Sequence, residues 1–197
     1  MCTVSVKNVI ARLPDVEVVR DRCRAMAALD AVMSPDWEFR YFSFDSVWSP
    51  SRQMASMRNG AGDEYSIVFT ADGVWACGFD HESQLSPYRS DPPTRWPGLL
   101  DGLPDVFRAQ AEEPAFCDPL GPLRATVSFW RERQASGWEC GSPLPSPRKD
   151  DDGGAGWLFD VLLEGAEGYR AFAQDNYDVE ADAEAVRHFY ALQPVTQ

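Results

Sequence analysis

In the run ACGFDHESQLSPY (76–88), His81 stands between Asp80 and Glu82 and four residues after Cys77; His188 is the second of two histidines. A thiol beside an imidazole could form a nucleophile and its base, an imidazole with carboxylates could bind a metal, and paired carboxylates could serve sugar chemistry. Strand geometry weighs against the first. Residues four apart on an extended chain are about 13 Å from each other, whereas a base must lie within hydrogen-bond reach of its nucleophile. Cys77 also shares a strand face with Trp75 and Phe79, and a thiol buried among apolar groups is inert. For a metal, Asp80, His81 and Glu82 are consecutive and point alternately to opposite sides, so at most two could share an ion. His188 follows Glu184 by four residues, a spacing that a helical charge pair explains.

Asp80 and Glu82 share a face about 7 Å apart, a separation usable in glycoside hydrolysis, but no substrate cleft is legible around them. Asn59-Gly60-Ala61-Gly62 precedes a strand rather than a helix and lacks the Gly-Lys-Ser/Thr of a phosphate loop. Ser83 has no flanking glycine to form a nucleophile elbow. The simplest reading of Asp80 to Ser83 is the polar exit of a strand, with Asp80 or Ser83 capping a turn that Ser86-Pro87 completes. No catalytic residue, metal or cofactor is therefore expected. Asp80, His81 and Glu82, with Trp75 and Trp96 nearby, stand as the alternative, an enzyme or ligand pocket.

These residues need a scaffold. Val16, Val19, Cys23, Met26, Ala27 and Asp30 recur at helical spacing, and Ser34-Pro35 ends the pattern, predicting a helix over 15–33. Trp37, Phe39 and Tyr41 alternate, then Phe42 and Phe44 take the other parity, so Trp37 to Trp48 reads as a strand with a bulge or one covered on both faces. Tyr65, Ile67 and Phe69, the turn Ala71-Asp72-Gly73, and Trp75, Cys77 and Phe79 predict a hairpin with strands near 64–70 and 74–79. Proline and glycine punctuate 92–102, predicting a structured loop, and Pro104 opens a short helix to about Ala111. Residues 124–133 and 137–140 read as a second hairpin. Gly141 to Gly156 has the proline, glycine and acidic content of a mobile connector, and helices follow to the C-terminus. The expectation is one α+β domain over 1–197: an antiparallel sheet of about four to six strands, packed by an N-terminal helix and C-terminal helices.

Composition sets limits on partners. The longest apolar run, Ala25 to Leu29, is far below the roughly 20 residues of a membrane span. Cys2, Cys23, Cys77, Cys117 and Cys140 are odd in number and without a CxxC pair, as free thiols in a cytoplasmic protein would be. The net charge of −13 disfavours nucleic-acid backbones and anionic membranes. From Asp150 to Glu184 eleven residues are acidic and one, Arg170, is basic, so this segment carries −10 of that charge. Helices presenting Asp175, Asp178, Glu180, Asp182 and Glu184 beside Tyr169, Phe172 and Tyr177 would make an acidic surface with aromatic anchors, suited to a basic protein.

The segments MRNGAGDEYSIVF, GFDHES with SPY, WPGLLDGLP, EEPAF and YRAFAQDNYDVEADAEAVRHFYALQP, within about residues 54–194, resemble a family of bacterial proteins of about this length with no assigned function. That resemblance implies no catalytic residues. More loosely, the chain is similar in type to toxin-immunity proteins of the broad SMI1/KNR4-like superfamily, although it has no motif specific to them. The likeness implies a non-enzymatic inhibitor that binds a basic toxin through an acidic face, with no indication of oligomeric state.

Overall fold

Val19, Cys23, Met26 and Leu29 recur three or four residues apart, and they give helix α2 (Val16–Met33) the buried face its sequence predicts. Helix α1 (Val6–Arg12) precedes it. The computed structural model describes residues 6–119 and 121–193; Cys2 lies outside them. Six strands follow: β1 (Phe42–Ser49), β2 (Arg52–Arg58), β3 (Glu64–Phe69), β4 (Gly73–Phe79), β5 (Val127–Glu132) and β6 (Glu139–Cys140). All neighbours pair antiparallel in sequence order, so the sheet is a meander. Four short or medium helices close the chain: α4 (Ala155–Leu158), α5 (Asp160–Glu164), α6 (Ala166–Tyr177) and α7 (Ala183–Tyr190), with α3 (Arg108–Ala111) in the long β4–β5 connection. This is the α+β architecture expected.

The sheet is covered on both faces. On one, Met57, Tyr65, Ile67, Ala76 and Phe129 pack with the buried residues of α1, α2 and the C-terminal helices. On the other, Val68, Trp75, Cys77 and Trp130 pack under Leu99, Phe107, Phe116 and Leu123 from the β4–β5 connection. Every residue of β4 is buried, as a central strand between two layers requires. Cys77 belongs to this second core, where burial pushes its thiol well above the ordinary range. It is no nucleophile.

Two departures from the sequence reading have physical causes. Trp37 and Phe39 lie in a 3-10 turn rather than a strand, and both are exposed. The buried carboxylate of Asp30 accepts the backbone N–H groups of Tyr41 and Phe42 at 2.7 and 3.0 Å, which fixes where β1 can begin. The parity change at Tyr41–Phe42 is therefore the entry to β1 rather than a bulge; the register against β2 is regular from Phe42 to Asp45 and shifts only between Asp45 and Ser49. The second departure is β2, whose sequence RQMASMR has little β-branched or aromatic content. Pairing on both sides imposes the strand where local propensity does not.

Residues 141–156, expected as a mobile connector, run against the body of the protein. Ser142 N–H donates to Gly98 O at 2.9 Å, Leu144 N–H to Pro97 O at 3.1 Å, and Gly153 and Gly154 are buried. Cys23 and Cys77 are buried free thiols, and Cys117 and Cys140 are half-buried free thiols. No described helix is long and apolar enough to cross a membrane.

Candidate functional site

The β3–β4 register decides what surrounds His81. Glu64 pairs with Phe79, so the next pair outward brings Asp63 beside Asp80 at the mouth of the hairpin. Asp63 ends the turn that begins at Asn59: Asn59 Oδ1 accepts the N–H groups of Ala61 and Asp63, and Asn59 Nδ2 donates to Asp63 Oδ2 at 2.7 Å. The Asn-Gly-Ala-Gly run is a turn held by its own asparagine, consistent with its rejection as a phosphate loop. Asp63 Oδ1 accepts the His81 N–H at 2.9 Å and lies 2.7 Å from His81 Nδ1. The Asp63 side chain is 7% exposed and His81 43%, so a buried carboxylate orients a solvent-facing imidazole.

The local fold after β4 is the polar turn expected. Asp80 O accepts the Ser83 N–H, Asp80 Oδ1 accepts the Glu82 N–H at 2.9 Å, and Ser83 Oγ accepts the Leu85 N–H at 3.0 Å. Asp80 N–H donates to Thr126 Oγ1 at 3.0 Å, tying the turn to β5's approach. The same residues also line a concavity of about 360 Å³, with Asp63, His81 and Glu82 on one side and Asp150, Asp151, Asp152, Arg148 and Trp157 on the other. The supposed connector thus contributes Arg148, Asp150, Asp151 and Asp152 to the pocket wall.

Asp151 holds that wall in place. Its carboxylate accepts from Ser83 Oγ at 2.7 Å, Gln84 N at 2.6 Å, Ser146 Oγ at 2.9 Å and Gly153 N at 3.0 Å. Burial alone would raise its pKa, but these donors outweigh it and hold the carboxyl below the usual range. Burial raises Asp152, against the backbone N–H groups of Gly156 and Gly154. Trp157 Nε1 donates to Asp80 Oδ2 at 3.3 Å, so the exposed indole closes one side of the pocket.

Asp63, Asp80 and His81 can each bring one ligand atom within 4.8 Å of the others, the arrangement of a small cation site. Asp63 was not among the sequence candidates. Yet its oxygens already receive two bonds from His81 and one from Asn59, which suits an oriented imidazole better than an open ligand set. Nδ1 faces Asp63 while Nε2 faces the pocket, 3.9 Å from Glu82 Oε1.

The electrostatics of this dyad are testable. The hydrogen bond to Asp63 raises the His81 pKa above its ordinary 6.5. Burial would raise Asp63, but the His81 and Asn59 donors prevail and lower it from 3.8. The raised histidine contributes stability that is full below pH 6.5 and is lost as pH rises through its folded value. The lowered aspartate contributes above pH 3.8 and loses its contribution as pH falls through its own. NMR titration of the His81 ring should therefore give a pKa above 6.5, and Asp63→Asn should return it toward that value.

At the C-terminal end, Asp175, Asp178, Glu180, Asp182 and Glu184 are exposed, as the sequence reading requires of a binding face. Asp182 is committed to capping α7, accepting from Glu184 N and Ala185 N. The aromatic anchors are not outward. Tyr169 is fully buried with its hydroxyl 3.0 Å from Asp30 Oδ1, and Phe172 and Tyr177 pack edge-on against Tyr41. The Tyr177 hydroxyl is shut off from solvent. Helical periodicity identified the apolar side of α6 correctly, but that side faces the core. Comparison of the chain with protein-family models, with curated proteins and with solved structures finds no match.

Proposed function

We propose that this chain is a non-enzymatic protein-binding module, of the immunity-inhibitor type, that captures a basic partner in the cytoplasm and occludes it with an acidic surface. One observation carries this reading: Asp80, Asp150, Asp175, Asp178, Glu180 and Glu184 form no ion pair with any described residue. By contrast, Glu164 and Glu167 in the same acidic segment are paired with Arg12 and Arg170. Uncompensated carboxylates of one sign raise association rates with cationic proteins and repel nucleic acid. The free thiols agree with a reducing compartment.

The test is capture from lysate of the native cell on the immobilised chain, with identification of what is retained. A basic protein should be retained at low salt and released as ionic strength rises. Reversing Asp175 near the end of α6, and Asp178 and Glu180 in the exposed segment after it, to Lys should abolish its retention while leaving the thermal melt intact. Unaltered retention by that variant would sink the reading.

The Asp63–His81 dyad favours a second reading, a small enzyme or ligand-binding protein using Asp80, His81 and Glu82, because an oriented Nε2 on a pocket wall can act as a base. It predicts that a small cationic ligand shifts the His81 ring and Trp157 indole resonances at low millimolar concentration, and that His81→Ala abolishes the Trp157 shift.

A further inference from the structure

Beside the acidic pocket lies a second, apolar groove of about 400 Å³, lined by Tyr41, Met57, Val161, Phe172 and, at its rims, Trp157 and Asn176. The two concavities are neighbours. Trp157 lines both, and the Asn59–Asp63 turn contributes Asn59 and Ala61 to the groove and Asp63 to the pocket. On the far rim, Asn176 stands on α6 between Asp175 and Asp178. No charged residue lines the groove, yet its rims lead on one side to a pocket whose carboxylates outnumber its cations Arg148 and His81, with Asp80 and Asp150 in no ion pair with a described residue, and on the other to exposed Asp175 and Asp178.

That distribution describes a ligand. A purely ionic partner would leave the Tyr41–Phe172 groove wet, and a purely apolar one would strip water from Asp80 and Glu82 without replacing it, which is costly. A chain segment with a bulky apolar side chain next to a lysine or arginine satisfies both halves, and aromatic or aliphatic anchors flanked by cationic groups are where binding energy concentrates. We propose that groove and pocket form one bipartite docking site for an extended segment of a basic protein. In it, an apolar side chain fills the groove and an adjoining lysine or arginine enters the acidic pocket past Trp157. This rests on the reading of the chain as a binder of basic proteins, and it names the part of the partner that is recognised.

The test uses the full chain and three labelled synthetic peptides in fluorescence anisotropy. The first contains Phe flanked by Arg, the second has Ser for that Phe at unchanged charge, and the third keeps Phe but has Gln for each Arg. The first should bind, and each of the others should bind at least about tenfold more weakly. Val161→Ala, which alters the groove alone, should weaken the first peptide and leave the second unchanged, whereas Glu82→Gln with Asp150→Asn should weaken both arginine peptides. Thermal melts of the variants confirm that they fold. Equal binding of the first and second peptides overturns the bipartite site while leaving the acidic-binder reading standing. Failure of both arginine peptides to bind overturns the two together. Undiminished binding of the third assigns the groove to apolar ligands alone and overturns the proposal.

Discussion

Asp30→Ala is expected to destabilise the fold by about 4 kcal/mol, seen as a fall of roughly 8–16 °C in the thermal midpoint for a chain of this size. Asp30 is completely buried near the end of α2. Its Oδ2 accepts the N–H groups that open β1, from Tyr41 and Phe42, and its Oδ1 accepts the Tyr169 hydroxyl from α6. Alanine leaves these donors buried without acceptors, at about 1–3 kcal/mol each, and the loss is partly offset because a buried acid no longer needs to be accommodated. Burial raises the Asp30 pKa from 3.8 against those hydrogen bonds. An acid whose folded pKa is raised binds its proton more tightly in the native state. Its contribution to stability therefore falls as pH rises from 3.8 through the folded value. Asp30→Asn keeps an acceptor for the backbone and an amide donor for Tyr169, so it should cost far less and should remove that part of the pH dependence. Denaturant melts across the acidic range separate the three proteins; equal stability of Asp30→Ala and wild type would show that the carboxylate does not organise the α2–β1 corner.

Asp30 also shows what was legible in the sequence. Its spacing assigned it to the buried side of α2, and that was correct, but periodicity has no term for which donors a buried carboxylate will serve. The start of β1 was therefore misread: alternation of Trp37, Phe39 and Tyr41 looks like a strand, whereas the structure begins the strand at the donors that Asp30 holds. The β3–β4 hairpin was legible because alternation and turn chemistry agree, and its register implied more than was drawn from it. Once Glu64 opposes Phe79, Asp63 must lie beside Asp80, so an acidic partner for His81 could have been found by extending the ladder one pair outward. Asp151 could not. It meets Ser83 and Gln84 from almost seventy residues away, and its surroundings of glycine, proline and acid signal disorder when read locally. The α6 aromatics failed in a different way: a helix wheel separates apolar from polar, but it cannot say whether the apolar stripe meets the core or a partner.

Gly98→Ala is expected to cost about 3–5 kcal/mol and to release the first part of the 141–156 segment from the protein. Gly98 has a φ of +81°, and a Cβ there would lie 2.1 Å from Ser142 O, a contact with backbone that no rotamer can relieve. The approach is mutual, since a Cβ on Gly141 would lie 2.4 Å from both Gly98 O and Leu99 O. Two backbones cross here without room for a side chain, and the crossing is what allows the Ser142–Gly98 and Leu144–Pro97 bonds and the 2.7 Å bond from Trp96 Nε1 to Leu144 O. Gly102→Ala supplies the control: its φ of +76° is similar, but nothing lies within 4 Å of the added methyl, so it measures the backbone strain alone at roughly 1–2 kcal/mol. Hydrogen exchange should show the Ser142 and Leu144 amides losing protection in Gly98→Ala and keeping it in Gly102→Ala. Because Asp151 has its own four donors further along, the pocket wall should persist in Gly98→Ala, and Ser83 and Gln84 should remain protected. Loss of protection at both places would mean that residues 141–156 dock as one unit, with the acidic pocket depending on the Gly98–Gly141 crossing.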